Sequence, residues 1–594
     1  MTVAAELTAL DRAVEAGTRR LLDLQHPDGW WVGELESNAT MIAEHLFWLH
    51  VLGLRDPATD RRLANELLAR RRDDGTWSNW FEGPADLSTT IESYAALEMA
   101  GVDAGWETRR FIREQGGIPR ARVFTKCFLA LLGQWPWQEI PTVPVELCLL
   151  PPWSPFSIYN FSCWARQTVV PLSVCMALRP VRRAGVDLRE IGARPGETKP
   201  AKRPLALRRR AIAAAERWVR ERQEADGGWG GIQPPWVWSI LMLAALGYGF
   251  EDRQLRHAVE GWGGFLIEEG DRLRPEACQS PVWDTALAVL GLRACGVAPQ
   301  HPQLVRAGEW LLAEEVTVKG DWAVRVPHVE PGGWAFEFAN DLYPDVDDAA
   351  VVCLALRELG MGGSAVERGL AWIAGMQSAN GGWGAFDVDS TSDWLYRLPF
   401  CDFGAVIDPP SEDVTGHALE ALAPEAGYED AVERGLDYLI AEQQDDGSWW
   451  GRWGVNHIYG TGAALPALEA CGVPGDHPAA RRAVAWLDSV QDASGGFGED
   501  IRSYHEPAWR GRGALTASQT AWALLAYISA GEAKREAARR AAGYLCSFQL
   551  ENGDWREDHY TGTGFPTDFM IRYHLYRLHF PVIALGRLRE RVSR

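Results

Sequence analysis

The sequence predicts an all-α chain built as two α/α barrels. Three observations carry that expectation. A signal of Gln, then Gly four residues on and an aromatic six on, recurs along the chain. Helical patterns flank most copies, and no strand-rich segment separates them. The copies fall into two clusters, 25–229 and 315–555, one for each barrel.

Taken in order, the copies are Gln25/Gly29/Trp31, Arg71/Gly75/Trp77 with Arg in place of Gln, and Gln223/Gly227/Trp229. Then come Glu315/Gly320/Trp322 as a stretched variant, Gln377/Gly381/Trp383, Gln443/Gly447/Trp449, Gln491/Gly495/Phe497 and Gln549/Gly553/Trp555. Each unit reads as two helices with a Gly-rich turn. A Gln side chain can bond backbone groups left open at a helix end while the Trp stacks over it, so these Trp are read as structural. The repeat also gives a reason for 29 Trp in 594 residues. Ahead of the first copy, Met1-Thr2-Val3-Ala4-Ala5-Glu6 opens an amphipathic helix carrying Asp11, Arg12 and Glu15, unlike a signal peptide.

Composition narrows the function. The net charge of −21 argues against general nucleic-acid binding. Ten Cys without CxxC spacing sit mostly in apolar runs and read as reduced core thiols of a cytoplasmic protein. No apolar run reaches the ~18 residues of a spanning helix; the stretch 161–178 contains Arg166. Residues 179–210 depart from the acidic balance, with 11 Lys/Arg against 3 Asp/Glu and four Pro. They read as a solvated, mobile linker or as an anchor to an anionic lipid surface.

The chemistry centres on Tyr343-Pro344-Asp345-Val346-Asp347-Asp348, which follows Trp334-Ala335-Phe336-Glu337-Phe338. Like charges this close cannot all ionise freely, so a proton tends to stay on. Pro344 and the apolar run 349–356 place the triplet at the start of a buried helix. One reading is an N-cap with acidic first-turn residues. The other is a proton-donating site facing aromatics.

Over nearly its whole length the chain resembles the squalene–hopene cyclase family of class II terpene cyclases. The Gln/Gly/Trp signal matches that family's QW repeat, and Asp345-Val346-Asp347-Asp348 matches its DxDD acid. Gly231–Trp236, Ser280–Thr285, Gly451–Asn456 and Thr561–Pro566 also match. The resemblance implies one barrel inserted in the other: 1–35 with 279–594 as the catalytic barrel, and 36–278 as the second. It implies Asp347 as the proton donor, His417 as its hydrogen-bonded partner, Asp345 and Asp348 holding the charge balance, and Tyr459 helping to return a proton. It implies Trp164, Trp283, Trp453, Phe565, Phe569, Tyr573 and Tyr576 as cavity aromatics that steady a cation. Phe336 joins them by its nearness to the acid. The 565, 569, 573, 576 spacing would suit one helix face. Ile232, Gln233, Glu44 and Glu92 match the far end of the cavity, where a surface Glu is the other reading. No metal or cofactor is implied.

The chain also departs from the pattern. Ala349 stands where many hopene cyclases have Thr, Phe386 replaces a Tyr, and His457 sits where Tyr is common. The region matching a hydrophobic membrane-inserting helix is here short, Pro-rich and basic. The expected substrate is an apolar polyprenyl chain, squalene or a shorter or prenylated-aromatic polyene. The expected location is cytoplasmic, soluble or peripheral to an anionic membrane, with a homodimer left open. Two rivals share the helical repeats. A glycosidase or lyase needs its acids several ångströms apart, which adjacent Asp347 and Asp348 suit poorly. A repeat scaffold binding lipid or peptide would use the acids as caps.

Overall fold

The computed structural model describes residues 3–201, 205–566 and 568–593. The chain divides into two compact units. The first comprises 1–35, 279–391 and 408–594; the second comprises 36–278 and 392–407. The second is thus an insertion in the first, and it also takes 392–407, a stretch the sequence reading left in the catalytic barrel.

In the first unit six helices pack in succession, the last returning to the first. They are Pro281–Ala294, Val346–Glu358, Glu412–Leu422, His457–Ala470, Ala517–Ser529 and Tyr576–Ser593. Four of them, Pro281–Ala294, Val346–Glu358, His457–Ala470 and Ala517–Ser529, are apolar or small nearly all round and buried over most of their length, while Tyr576–Ser593 ends in an exposed basic turn. Amphipathic helices Val3–Leu24, Pro302–Ala313, Ser364–Gly375, Glu429–Ala441, Pro478–Val490 and Glu536–Phe548 cover them. The result is an α/α barrel. In the second unit, Thr40–Leu52 packs on Leu87–Met99, Val123–Leu131 and Gln233–Ala245, and Cys163–Leu178 packs on Gln233–Ala245, with amphipathic helices outside. Among the described residues no helix is long and apolar enough to cross a membrane.

The repeated Gln bonds two carbonyls, one in its own turn and one on a neighbouring outer helix. Gln377 Nε2 donates to the Gly381 and Ala431 carbonyls at 2.7 and 2.8 Å, the second in the first turn of the next outer helix. Gln25, Gln223, Gln443, Gln491 and Gln549 repeat the pattern. The repeat Trp carries a bond of its own. Its indole N–H donates to a carbonyl ten residues back, at the end of the preceding helix, as from Trp383 to Ile373 at 2.7 Å. Gly381 lies at φ +94°, and a Cβ there would stand 2.4 Å from the Arg434 carbonyl, so only Gly permits the turn.

The stretched copy needs correcting. Trp322 Nε1 has no hydrogen-bond partner among the described residues. It is Trp334 that donates back, to Leu311 at 2.7 Å. Gly332 approaches the Arg368 carbonyl as Gly381 approaches Arg434. Glu315 takes the Gln position and pairs with Arg368 at 2.6 Å. A long insert hides this copy, Glu315/Gly332/Trp334, from a fixed spacing.

Two further expectations fail. Residues 565–576 do not form one helix face: Gly562–Phe565 and Phe569–Tyr573 are antiparallel strands, and Tyr576 opens the last helix. The 179–210 stretch is not a free linker either. Leu188 and Ile191 are buried, and the Arg182, Ala184 and Arg194 amides donate to Leu131, Leu132 and Gln134. Lys202, Arg203 and Pro204 lie outside the described residues.

Candidate active site

The acid triplet opens an inner helix of the first unit. Asp345 is its N-cap, accepting the Asp348 amide at 2.8 Å. The capping reading of Asp345 therefore holds, and it coexists with a polar cluster built around its neighbour. Asp347 Oδ1 lies 2.9 Å from His417 Nδ1, on the neighbouring inner helix Glu412–Leu422. Of the triplet, Asp347 is the most accessible at 8 %, against 3 % for Asp345 and 2 % for Asp348.

Burial pushes the Asp345 and Asp348 carboxyls well upward, and Asp347 beside them adds to it. Asp345 and Asp348 thus keep protons that isolated carboxylates would lose. Burial opposes charge on His417, but the Asp347 carboxylate and its hydrogen bond outweigh that and raise the ring to about 9.

Aromatics crowd the same N-terminal ends of the inner helices. Tyr459, third residue of His457–Ala470, stands 6.4 Å from the His417 ring and 4.7 Å from Trp522. Trp283 is 5.9 Å from the His417 ring, and its indole N–H donates to Tyr576 Oη at 3.1 Å. Tyr576 stacks on Tyr573 at 4.2 Å, and Phe336 meets Tyr573 edge-on at 6.3 Å. Phe386 packs edge-on against Trp453 at 6.3 Å, and Phe565 lies 5.4 Å from Phe569 on the hairpin.

Trp164, Ile232, Gln233, Glu44 and Glu92 belong to the second unit. Trp164 is buried and donates its indole N–H to the Ala405 carbonyl at 2.8 Å. Ile232, half-buried, caps the helix that Gln233 begins. Gln233 Nε2 donates to Glu44 at 2.8 Å, and the Thr125 hydroxyl donates to Glu92. Both Glu are buried, which removes the surface reading, and burial raises both carboxyls.

Sequence reasoning missed Asp408 and Asp413. Asp413 Oδ2 accepts the Arg452 and Trp453 amides at 2.8 Å each, and its carboxyl is raised by burial and then by Asp347. Asp408 accepts the Phe386 and Asp387 amides at 2.6 and 2.9 Å; burial lifts it to about 6 against the pull of Arg452. A signal for Asp413 did exist. Trp334 bridges to Asp345 and Trp383 bridges to Ser411, so Asp413 sits in its repeat where Asp347 sits in its own. Asp347, Asp408 and Asp413 each meet an amide or side-chain donor, whereas Asp345 Oδ2 and Asp348 Oδ1 have no hydrogen-bond partner among the described residues.

The squalene–hopene cyclase C-terminal domain model matches residues 279–590, and the N-terminal domain model matches 14–205 and 197–271. The chain belongs to the squalene–hopene cyclase family. It is 46 % identical to a squalene–hopene cyclase of Alicyclobacillus acidocaldarius, over 98 % of each chain. It is 39 % identical to that of Zymomonas mobilis, over 97 % of this chain and 95 % of the other. It is 37 % identical to a dammaradiene synthase of Dryopteris crassirhizoma, over 98 % and 94 %. In fold it resembles the ent-copalyl diphosphate synthase of Streptomyces platensis, with a TM-score of 0.52 at 18 % identity, covering 98 % and 99 %. As a member of this family the chain is a class II terpene cyclase, an isomerase that starts its reaction by protonating an alkene.

Proposed function

We propose that this cyclase acts on squalene, with Asp347 as the acid that protonates its terminal alkene. The observation that carries the reading is the Asp347–His417 contact at 2.9 Å among aromatic rings. Protonating an isolated alkene yields a tertiary carbocation, so the donor must be a strong acid. A carboxylic acid strengthens when its conjugate base is met by a donor and a positive charge. His417 Nδ1–H supplies both to Oδ1, which leaves Oδ2 to carry the transferred proton. Asp345 and Asp348, kept protonated by burial, add no competing negative charge. Asp413 beside them helps hold His417 as imidazolium.

The new cation then runs along the folded chain. Aromatic faces stabilise it by roughly 2 kcal/mol or more each when desolvated, a role for Phe336, Trp283, Tyr573 and Tyr576, and further along for Phe386, Trp453, Phe565, Phe569 and Trp164. Tyr459, beside His417, helps return the proton. Glu44, Glu92, Gln233 and Ile232 act where the last cation loses a proton or meets water. Purified protein incubated with squalene, and separately with farnesyl and geranylgeranyl substrates, tests the reading by mass spectrometry of the products. Cyclic products from squalene support it; cyclic products from a shorter chain alone reassign the substrate.

The same reading includes contact with an anionic membrane surface. Arg208, Arg209 and Arg210 lie beside Leu205 and Leu207, exposed at 80 % and 58 %. Arg208 pairs with Glu146 at 2.8 Å, in the turn ahead of exposed Leu149, Trp153 and Phe156. Basic side chains near such a surface contribute about 1 kcal/mol each, and apolar tips can enter the headgroup layer. Vesicle flotation tests this: binding to anionic vesicles that weakens with salt supports it, and equal binding to neutral vesicles contradicts it.

A further inference from the structure

A second polar pair, outside the mechanism above, lies one step behind the aromatic pair next to the acid. Asp284 follows Trp283 on Pro281–Ala294, and His579 stands one helical turn after Tyr576 on Tyr576–Ser593. His579 is 0 % exposed and Asp284 1 %. Asp284 Oδ2 is fully engaged, accepting the Gly33 amide and the Ser280 hydroxyl at 2.9 Å each. Asp284 Oδ1 and both ring nitrogens of His579 have no hydrogen-bond partner among the described residues, and Nδ1 faces Oδ1 at 3.6 Å.

That distance is too long for a hydrogen bond, yet short enough for a small adjustment to make one. Leaving such groups buried and unmatched is costly, and a Leu or Phe at 579 would avoid the cost. Burial lifts the Asp284 carboxyl to about 7 and drives the His579 ring down to about 3, so neither group carries a charge comfortably alone. One proton shared between them relieves both, as a short charge-assisted bond.

Away from the acid the two helices meet through the Arg589 guanidinium on the Cys295 carbonyl, Cys295 Sγ at 3.6 Å from the Val582 carbonyl, and apolar contacts. Gly291 faces Ile583, and Gly586 lies against the backbone of Ala294. At the end beside the acid the polar links between the two helices are Trp283–Tyr576 and Asp284–His579. The Trp283–Tyr576 hydrogen bond crosses the same two helices, 5.9 Å from the His417 ring on the Trp283 side. We propose that His579 is a positioning residue for cyclisation: through a proton shared with Asp284 it fixes the register of the two helices, and so the placement of Trp283 and Tyr576 beside the acid.

The inference rests on the protonation reading of the site. The test therefore uses whichever polyene the wild-type protein cyclises and compares variants only with wild type. Failure of the wild type to cyclise squalene bears on the substrate; the ratios between variants bear on His579. His579→Leu fills the space without a polar atom, and His579→Asn keeps a donor near the Nδ1 position. A misplacement of about 1 Å near reacting atoms lowers rate about 100-fold. The expected result for His579→Leu is kcat down about 10- to 100-fold, little change in KM and a larger share of products with fewer rings. His579→Asn restores kcat and product profile towards wild type. Wild-type turnover and products from His579→Leu, or equal impairment of both variants, would overturn the proposal. Nuclear magnetic resonance of the wild-type protein with 15N-labelled histidine decides the matter even where a variant fails to fold. The His579 ring, identified among the solvent-shielded, pH-insensitive signals by eliminating those lost in His45→Gln and His457→Gln, carries its proton on Nδ1 with a strongly downfield proton signal. A ring protonated on Nε2 alone contradicts the shared proton.

Discussion

The amide of Asp345 donates to the carbonyl of Trp334 at 3.0 Å, while the Trp334 indole donates to Leu311 at 2.7 Å. The acid triplet therefore hangs directly on a repeat tryptophan. Trp334→Phe removes the indole bond and some buried volume. The expected cost is about 1–3 kcal/mol of unfolding free energy, measured by denaturant titration, together with slower cyclisation as the helix start loosens. Unchanged turnover in a destabilised variant would show that the acid does not depend on this anchor.

The fold should lose stability as pH rises through about 9. His417 is raised to about 9 in the folded protein, above its ordinary value. A raised histidine stabilises the fold fully below its unfolded pKa of about 6.5, and that contribution is lost as pH passes the folded value. The imidazolium that strengthens Asp347 goes with it. His417→Gln should lower kcat about 100-fold and remove this alkaline loss of stability in denaturant titrations. A loss that persists in the variant assigns it to another group.

Phe336→Ala should still consume substrate but release products with fewer rings. Its ring meets Tyr573 edge-on within the aromatic cluster. Losing one face gives up about 2 kcal/mol of cation stabilisation, which lets deprotonation compete. Gas chromatography of the products checks this, and an unchanged profile would leave Phe336 a packing residue.

Gln443→Ala separates the repeat from the chemistry. Gln443 Nε2 donates to Gly447 and Ala479 at 2.8 and 2.9 Å, far along the chain from the acid triplet. Removing both bonds should cost about 1–2 kcal/mol of stability. The product profile should stay as in wild type, by thermal unfolding and mass spectrometry together.

Much of this was legible in residue order because it is local. The Gln377 bond to Gly381 spans four residues and the Trp383 bond to Ile373 spans ten, so a fixed spacing exposes them. The Glu315 copy was misread because an insert carries Gly332 and Trp334 far downstream. The hairpin through Phe565 and Phe569 was misread because four-residue aromatic spacing fits a helix as well as a bulged turn. Asp408 and Asp413 lie beside Asp345 and Asp347 only once successive helices align their N-terminal ends. His579 meets Asp284 only across the closing contact of the barrel.

The central claim is that Asp347 delivers the proton. The most direct measurement is single-turnover incubation of Asp347→Asn with squalene, beside a circular-dichroism melt. An amide keeps the shape of the side chain but has no acidic proton to give. The account predicts native melting and cyclisation reduced by at least about 1,000-fold. Near-normal turnover by the folded variant would contradict it.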